Sequence, residues 1–593
     1  MENKKIKSPI GTQPFEKQRT GGYGYVDMIK LIAILLPLAG FFFYFRYAAP
    51  YHIGFKEQMQ MFVFSSSYIM SYFSKPAVLA CLGGDFMTQF FFFKTGGAAV
   101  VTLSLATVWL LIYLTLKRFP AVTCHSKSPK ATLYAVSLLP VIVEMMAIPG
   151  YYFTIALSVS FIIALSAFLI YTKIRGMPAV ITGILMIPAL YMIAGASVFL
   201  FVFLAIFYDM QHKRLRFVYR AVILGLATTV PPLVRHCYLL SFEQAFFYPY
   251  PGIKQGLSLV TLSLAVFLFV CFGNLKIKPL KPFLSFIVLV FVLITGLVKT
   301  RDRDQENLFG LMIEAYHENW DQVLLIAEKA KLKNPVATCY ANIALSQNSL
   351  LGERLLDFYQ PYSSGLVLPL SLNFNVLEIF TTNDIYFHLG DMDMALHAAV
   401  VGMISAPHKR SARMVERMAA INLAIDETAV ANKYKRMLER TMFHKPKIHA
   451  LPHRERGVFK ENVIRNPSQI KITLELLAAG NPDNLPAVNY LLCYYLLNAD
   501  IISFFNAYTS YFKIKNIPVP KVYAEALLIY FTVTKSTPEE MTTYHIQPEI
   551  IRTFGEYNRL FEQSKGNLAF MLEKYPDSYW LYYQLALKSR EKK

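Results

Sequence analysis

The sequence lacks the motifs that mark a zinc site, a disulfide framework or a nucleotide-dependent enzyme. None of its six cysteines is spaced as C-x-x-C, a spacing that zinc ligands and redox pairs use. The chain also has no GxxxxGK[ST], HExxH or GxSxG motif and no GxGxxG after a strand pattern. P-loop ATP hydrolysis, zinc proteolysis and Rossmann-type cofactor binding therefore have no support. A disulfide between Cys339 and Cys493 stays open as an alternative if their domain is extracytoplasmic.

Charged residues are scarce, and the apolar residues are concentrated before about position 299. The 593-residue chain is 55% hydrophobic and 17% charged, yet it carries a formal net charge of +20. Its basic residues gather in short loops between apolar runs, a pattern that membrane orientation explains. We therefore expect a membrane protein in the first half and a soluble region in the second, with no nucleic-acid partner.

The apolar runs predict a bundle of about nine transmembrane helices, each near the length that crosses the hydrocarbon core. The ambiguous run is 177–207, which crosses either once, as one tilted helix, or twice, with a break near Pro188 and Gly195. Two crossings keep all the basic loops on one side of the membrane, so the positive-inside bias favours two. The predicted spans are 27–47, 97–116, 131–149, 152–171, two within 177–207, 221–240, 256–273 and 282–298.

This topology divides the chain into three parts. Residues 1–26 form a cytoplasmic tail, residues 27–299 form the transmembrane domain, and residues 300–593 form an extracytoplasmic domain. In a bacterium this predicts a multi-pass protein of the inner (cytoplasmic) membrane, with its C-terminal domain in the periplasm.

The C-terminal part has the periodicity of amphipathic helices throughout. Ala327 and Ala330 recur as Ala395 and Ala398, 68 residues later, which leaves room for two tetratricopeptide units of about 34 residues. Small residues let paired helices pack closely, and such arrays expose concave surfaces that bind partners. The whole chain is thus predicted to be all-α: a polytopic helical bundle followed by a soluble helical-repeat, TPR-like domain that holds a protein partner.

One string in this domain matches a metal-binding motif. Asp391-Met392-Asp393 has the DxD pattern that holds a divalent ion in sugar-nucleotide transferases. It falls in the turn between two repeat helices, so we interpret it as structural.

The segment after the first span, the interfacial outer loop 48–96, is too polar to cross a membrane and too aromatic to be an ordinary hydrated loop. We call it the first loop. Its pattern predicts helices in the headgroup plane, with Met59, Phe62 and Val63 on the apolar side and Glu57 and Gln58 on the wet side.

Several charged residues are predicted to reach the outer face of the membrane, where a charge marks a site, a pathway or a partner. Glu57 and Asp85, the carboxylates of the first loop, are our candidate catalytic residues. The candidates for binding a substrate or its phosphate are Glu144, Arg235, His236, Glu243 and Arg301. Structural alternatives stay open: Glu144 can pair with Arg235, and His236 can hydrogen-bond within the bundle.

Between about residues 20 and 300 the architecture resembles the GT-C class of membrane glycosyltransferases, which includes oligosaccharyltransferases. These proteins have an inside N-terminus, a first outer loop of interfacial helices and a catalytic Asp or Glu soon after the first span. The resemblance implies that Glu57, or else Asp85, takes a proton from an acceptor hydroxyl while one of the cations named above neutralises the departing lipid phosphate. It implies transfer of a sugar or glycan from a polyprenyl-phosphate-linked donor to an extracytoplasmic protein or glycan acceptor. A divalent metal is compatible with this chemistry, although no clear ligand motif is present.

The chain is also similar to an uncharacterised bacterial family of polytopic proteins with a helical-repeat tail. The similarity lies in an EQ dipeptide and an FxTQFF-like string, here Glu57-Gln58 and Phe86–Phe91, and it implies no activity.

The alternative function is a non-catalytic membrane-anchored scaffold for envelope assembly or secretion, because repeat domains are usually interaction modules. A nine-span bundle is more than an anchor needs, which favours the transferase. A transporter is a third alternative, disfavoured because the spans have few central charges and no matching discontinuous halves.

Overall fold

The computed structural model describes residues 23–120, 129–213, 217–272, 295–296, 302–368, 375–444, 469–515, 517–537 and 541–591. Within these ranges the chain is helical and has no β-strand, which confirms the all-α class. Most of the predicted span 282–298, and Arg301, lie outside the described residues.

The first part of the chain is a bundle of apolar helices. Four helices, at Lys94–Leu116, Met177–Gln211, Phe217–Tyr238 and Lys254–Cys271, are long and apolar enough to cross a membrane. This is consistent with membrane association, while the number of nine spans and their orientation stay predictions. The helices of this part are α1 (Tyr23–Phe43), α2 (Pro50–Met59), α3 (Ser66–Ser71), α4 (Val78–Thr88), α5 (Lys94–Leu116), α6 (Pro129–Ala147), α7 (Ile155–Tyr171), α8 (Met177–Ala194), α9 (Val198–Gln211), α10 (Phe217–Tyr238), α11 (Phe242–Phe247) and α12 (Leu257–Phe272).

The ambiguous run is interrupted at Gly195. The helix α8 ends at Ala194, and Gly195 takes a φ of +66° before the short 3-10 turn that leads into α9. A Cβ atom at Gly195 would lie 2.3 Å from the backbone oxygen of Tyr248, so a side chain does not fit there. The predicted break is therefore present at Gly195, whereas Pro188 lies inside α8.

The second part is a stack of shorter helices, which we call the C-terminal region (300–593). Links of only two or three residues join α13 to α14, α17 to α18 and α19 to α20, and such links make neighbouring helices antiparallel. This pairing agrees with a helical array, while its TPR-like character stays a prediction. The helices are α13 (Arg303–Tyr316), α14 (Trp320–Ala330), α15 (Pro335–Gln347), α16 (Leu351–Arg354), α17 (Val376–Leu389), α18 (Met392–Ser405), α19 (Ala412–Ala424), α20 (Thr428–Glu439), α21 (Ile470–Gly480), α22 (Leu485–Leu497), α23 (Ile501–Ala507), α24 (Lys521–Thr534), α25 (Pro548–Gln563), α26 (Leu568–Lys574) and α27 (Tyr579–Glu591).

Two local predictions can be checked in this region. Asp391 is the N-cap of α18, where its buried side chain accepts a hydrogen bond from the backbone N–H of Met394, which confirms its structural interpretation. Cys339 and Cys493 are buried free thiols, so the alternative of a disulfide between them is wrong.

The first loop packs directly on the C-terminal region. The Phe55 ring stacks on Phe309 with 4.2 Å between centroids, and Phe62 and Val63 are buried in a cluster with Val415 and other residues of α19 and α20. The prediction that Phe62 and Val63 face lipid is wrong, because α2 ends at Met59 and these helices cover the segment that follows. Glu57 and Gln58 are likewise buried rather than wet.

Candidate functional site at the first loop

Glu57 lies in a buried chain of polar contacts that joins the first loop to the C-terminal region. Its Oε1 is 2.6 Å from Nε2 of His444, and Nδ1 of His444 is 2.5 Å from Oε1 of Glu416. The Tyr316 hydroxyl donates to the other oxygen of Glu416. We call these four residues the Glu57 junction. Because a carboxylate lies against each ring nitrogen, the arrangement requires the imidazolium form of His444.

The charge state of His444 follows from this geometry. Burial lowers the pKa of His444, but the carboxylates of Glu57 and Glu416 outweigh burial and raise it to about 9. The ring is therefore a cation at neutral pH, and it neutralises part of the negative charge that the two buried carboxylates bring.

Gln58 extends the same interface. Nη1 of Arg413 donates to the side-chain oxygen of Gln58 at 2.9 Å. Arg413 and Arg417 both form ion pairs with the buried carboxylate of Asp384, which also accepts from the Tyr340 hydroxyl at 2.8 Å. The EQ dipeptide is thus one of the contacts that hold the first loop on the C-terminal region.

The space beside Glu57 is small. The cavity lined by Glu57, Thr88, Gln89 and His444, among others, has a volume of about 10 Å³, roughly the space that one water molecule needs. In this conformation Glu57 is an ion-pair partner with no room beside it for a sugar ring.

Asp85 is buried to the same degree as Glu57, but its histidine partner is more exposed. Its Oδ2 accepts from the Tyr72 hydroxyl at 2.7 Å and lies 3.2 Å from Nε2 of His408. The Tyr68 hydroxyl is 2.9 Å from that of Tyr72. The side chains of Asp85 and His408 are 12% and 30% exposed, and among the described residues Oδ1 of Asp85 has no hydrogen-bond partner. We call Tyr68, Tyr72, Asp85, Tyr248 and His408 the Asp85 cluster.

Two cations border the Asp85 cluster. Nζ of Lys75 lies 5.8 Å from the ring centroid of Tyr248, and the Arg410 guanidinium lies 5.2 Å from that of Tyr68. Burial and the charge of Asp85 raise the pKa of Tyr72 far above its ordinary value, so its hydroxyl stays neutral and donates. The cluster therefore combines a carboxylate, one oxygen of which no described residue hydrogen-bonds, with a tyrosine donor and nearby positive charge.

Backbone geometry positions both sides of the Asp85 cluster. A Cβ atom at Gly84 would lie 2.3 Å from the backbone nitrogen of Ala156, so glycine lets α4 pack closely on α7 next to Asp85. On the opposite side, His408 and Lys409 have φ values of +51° and +54°. Such a left-handed conformation costs roughly 1–3 kcal/mol for a residue with a side chain and often occurs at functional sites.

The other predicted site residues lie apart from this cluster. Glu144 is buried in the bundle, where the Ser158 hydroxyl donates to it at 2.8 Å and the Ser258 hydroxyl donates to its other oxygen. Arg235 is half-buried at the end of α10, and its Nε donates to the neighbouring His236 ring at 3.3 Å. The alternative of a Glu144–Arg235 pair is therefore wrong.

Glu243 and Arg301 are the remaining predicted site residues. Glu243 is exposed at the start of α11, and Arg301 lies outside the described residues. Within the described ranges, no group of three or more His, Cys, Asp or Glu side chains is arranged to hold a metal ion.

Sequence reasoning did not identify Tyr72, Lys75, Tyr248, His408 or Arg410 as members of a site. Tyr248 follows α11, and His408 and Arg410 lie between α18 and α19. No spacing rule connects these segments to Asp85, so their proximity emerges only in the folded chain.

Comparison with known proteins identifies the family of the chain but no activity. No curated protein and no solved structure matches the chain. A family model matches residues 24–586, and thus both the apolar bundle and the C-terminal region. The chain therefore belongs to DUF6057, a family of unknown function.

Proposed function

We propose that the protein is a membrane glycosyltransferase that moves a sugar or glycan from a polyprenyl-phosphate-linked donor to an acceptor hydroxyl at the membrane surface. The single observation that carries the proposal is the Asp85 cluster. It combines a carboxylate, one oxygen of which has no hydrogen-bond partner among the described residues, with two nearby cations, Lys75 and Arg410.

The chemistry follows from the positions of these groups. As the acceptor oxygen forms its bond to the anomeric carbon, Oδ1 of Asp85 takes the hydroxyl proton. The bond from that carbon to the lipid phosphate oxygen breaks on the opposite side, and the leaving phosphate keeps the electron pair. Lys75 and Arg410 neutralise the phosphate, as ammonium and guanidinium groups do well. Tyr72 and His408 hold the other oxygen of Asp85 and so fix the orientation of the base.

The proposal includes the finer topology predicted from the sequence. The bundle crosses the membrane about nine times, with its N-terminus in the bacterial cytoplasm and the TPR-like C-terminal region in the periplasm. The Asp85 cluster then lies at the outer surface, where polyprenyl-linked donors present their sugars.

A turnover assay tests this proposal. The full chain in nanodiscs is incubated with a panel of polyprenyl-phosphate sugars, and released polyprenyl phosphate is measured by mass spectrometry. We expect turnover that falls at least about 100-fold in Asp85→Asn, the lower range of what a positioned base contributes. The control is Asp577→Asn, a change at an exposed carboxylate of the C-terminal region.

The result that would contradict the proposal is turnover that Asp85→Asn leaves intact in folded protein. The absence of turnover with every donor would favour the second candidate function.

That second candidate is the membrane-anchored scaffold. The observation that favours it is the continuous core through the first loop and the C-terminal region, in which Phe55 packs on Phe309. A rigidly held helical stack suits the presentation of a binding surface. A scaffold would keep its partners bound when Asp85 is replaced, whereas the transferase would lose turnover.

A further inference from the structure

A groove on the C-terminal region is unrelated to the Asp85 cluster and has the features of a ligand site. It lies between α14, α15 and the segment 354–359, with a volume of about 490 Å³. Binding pockets for compact ligands commonly measure roughly 300–1,000 Å³.

The floor of the groove is apolar and made by small residues. Ala327, Ala337 and Ala341 are buried, and they line the groove together with Leu311 and Phe358. Because alanine side chains end at Cβ, they leave space above them that a bulky apolar side chain of a ligand would fill. Burying such a side chain supplies the anchor of many peptide complexes.

The rim of the groove carries uncompensated positive charge. Lys331 and Lys333 are exposed, and among the described residues their ammonium groups form no ion pair or hydrogen bond. The third cation, Arg354, donates to Glu328 at 2.8 Å and to Asp357 at 2.7 Å. The two rim carboxylates are thus already paired, and the rim attracts anions.

The start of α15 adds to this attraction. The helix has 13 residues and begins at Pro335 after the cap residue Asn334. Its first turn supplies Ala337 and Thr338 to the wall of the groove. The partial positive charge of a helix N-terminus favours an anionic group close by. The effect here is one of charge, because Pro335 has no N–H and the N–H groups of Val336 and Thr338 already donate to Asn334.

We propose that this groove binds an acidic peptide segment of a partner protein, with a bulky apolar side chain on the alanine floor and carboxylates beside Lys331 and Lys333. Two complementary features support this occupant. The apolar cavity favours a bulky apolar side chain of the peptide, and the free lysines favour its carboxylates. The site is separate from sugar transfer, so the proposal goes beyond the function stated above.

Peptide selection tests the proposal. A phage-displayed library of random short peptides is selected on the full chain in nanodiscs, and the enriched peptides are synthesised with a fluorescent label and titrated. We expect the enriched peptides to share acidic residues and one bulky apolar residue. The affinity should fall about tenfold or more in the double variant Lys331→Glu/Lys333→Glu, because opposite charge becomes like charge.

A matched control separates the groove from general surface charge. The double variant Lys329→Glu/Lys574→Glu makes the same change at exposed lysines that do not line the groove, and it should keep full affinity. Ala327→Leu, which fills the floor, is the second variant, and circular dichroism checks the folding of each.

Several outcomes would overturn the proposal. They are enrichment of no peptide, enrichment of basic or uncharged peptides, and affinity that groove and control variants change equally. The proposal would also be wrong if native mass spectrometry showed a bound lipid or small molecule that is lost in Lys331→Glu/Lys333→Glu. That molecule, rather than a peptide, would then be the occupant of the groove.

Discussion

The two carboxylates of the first loop are buried to the same degree but differ in the groups that surround them. Each is a few ångströms from a histidine of the C-terminal region: Glu57 from His444 at 2.6 Å and Asp85 from His408 at 3.2 Å. Around Glu57 a second carboxylate, that of Glu416, completes a closed chain beside a cavity of about 10 Å³. Around Asp85 the histidine is 30% exposed, against 10% for His444, and Lys75 and Arg410 border the cluster. The comparison teaches that burial alone does not decide the role of an acid. The chain of paired charges around Glu57 suits a structural contact, whereas the partly exposed histidine and the nearby cations around Asp85 suit the binding of an anionic substrate.

The largest effect on stability is expected at Asp384, the buried carboxylate that Arg413 and Arg417 share. Asp384→Asn leaves Arg413 and Arg417 without their counter-charge, and breaking a buried ion pair costs about 3–5 kcal/mol. We expect a large drop in the melting temperature of the detergent-solubilised protein. Asp577→Asn is the control, and equal melting temperatures for the two variants would mean that the ion pairs of Asp384 contribute little.

Glu57→Gln should have the next largest effect, on the stability of the contact between the first loop and the C-terminal region. The change removes a charged hydrogen bond to His444, a contact worth about 1.5–3 kcal/mol. Hydrogen exchange of the α2 amides would report this as faster opening of the contact between the first loop and the C-terminal region. Unchanged protection in α2 would contradict the clamping role of Glu57.

A change in pH should have a smaller and graded effect on the stability of the Glu57 junction. The pKa of His444 is raised in the folded protein to about 9, from an ordinary value of about 6.5. The stabilisation it contributes is therefore complete below about pH 6.5 and is lost as the pH rises through about 9. Hydrogen exchange of α2, corrected for the intrinsic pH dependence of exchange, should show protection falling across this window.

His444→Gln provides the matched control for that experiment. It should show lower protection that no longer falls in this window. A wild-type protein whose corrected protection rises towards pH 9 would contradict the assigned charge of His444.

The parts of the fold that were predictable from sequence are those set by local patterns. The helical class follows from periodicity, the break in the run 177–207 from the proline and glycine inside it, and the structural role of Asp391 from its place in a turn between helices. The burial of Phe62 and Val63 was not predictable, because helices that come hundreds of residues later cover them. His444 and His408 meet their carboxylates through equally distant contacts, so sequence indicated Glu57 and Asp85 but not the difference between them.

The most direct test of this difference is the binding of undecaprenyl phosphate to the full chain in nanodiscs, measured by native mass spectrometry. If the Asp85 cluster binds the phosphate of this lipid, the double variant Lys75→Gln/Arg410→Gln should weaken binding about tenfold or more, because it removes the two cations that neutralise the phosphate. Lys254→Gln, at an exposed lysine elsewhere, should leave binding unchanged. Equal binding by the wild type and the double variant, or a loss seen only in Arg235→Gln/His236→Gln, would contradict the account.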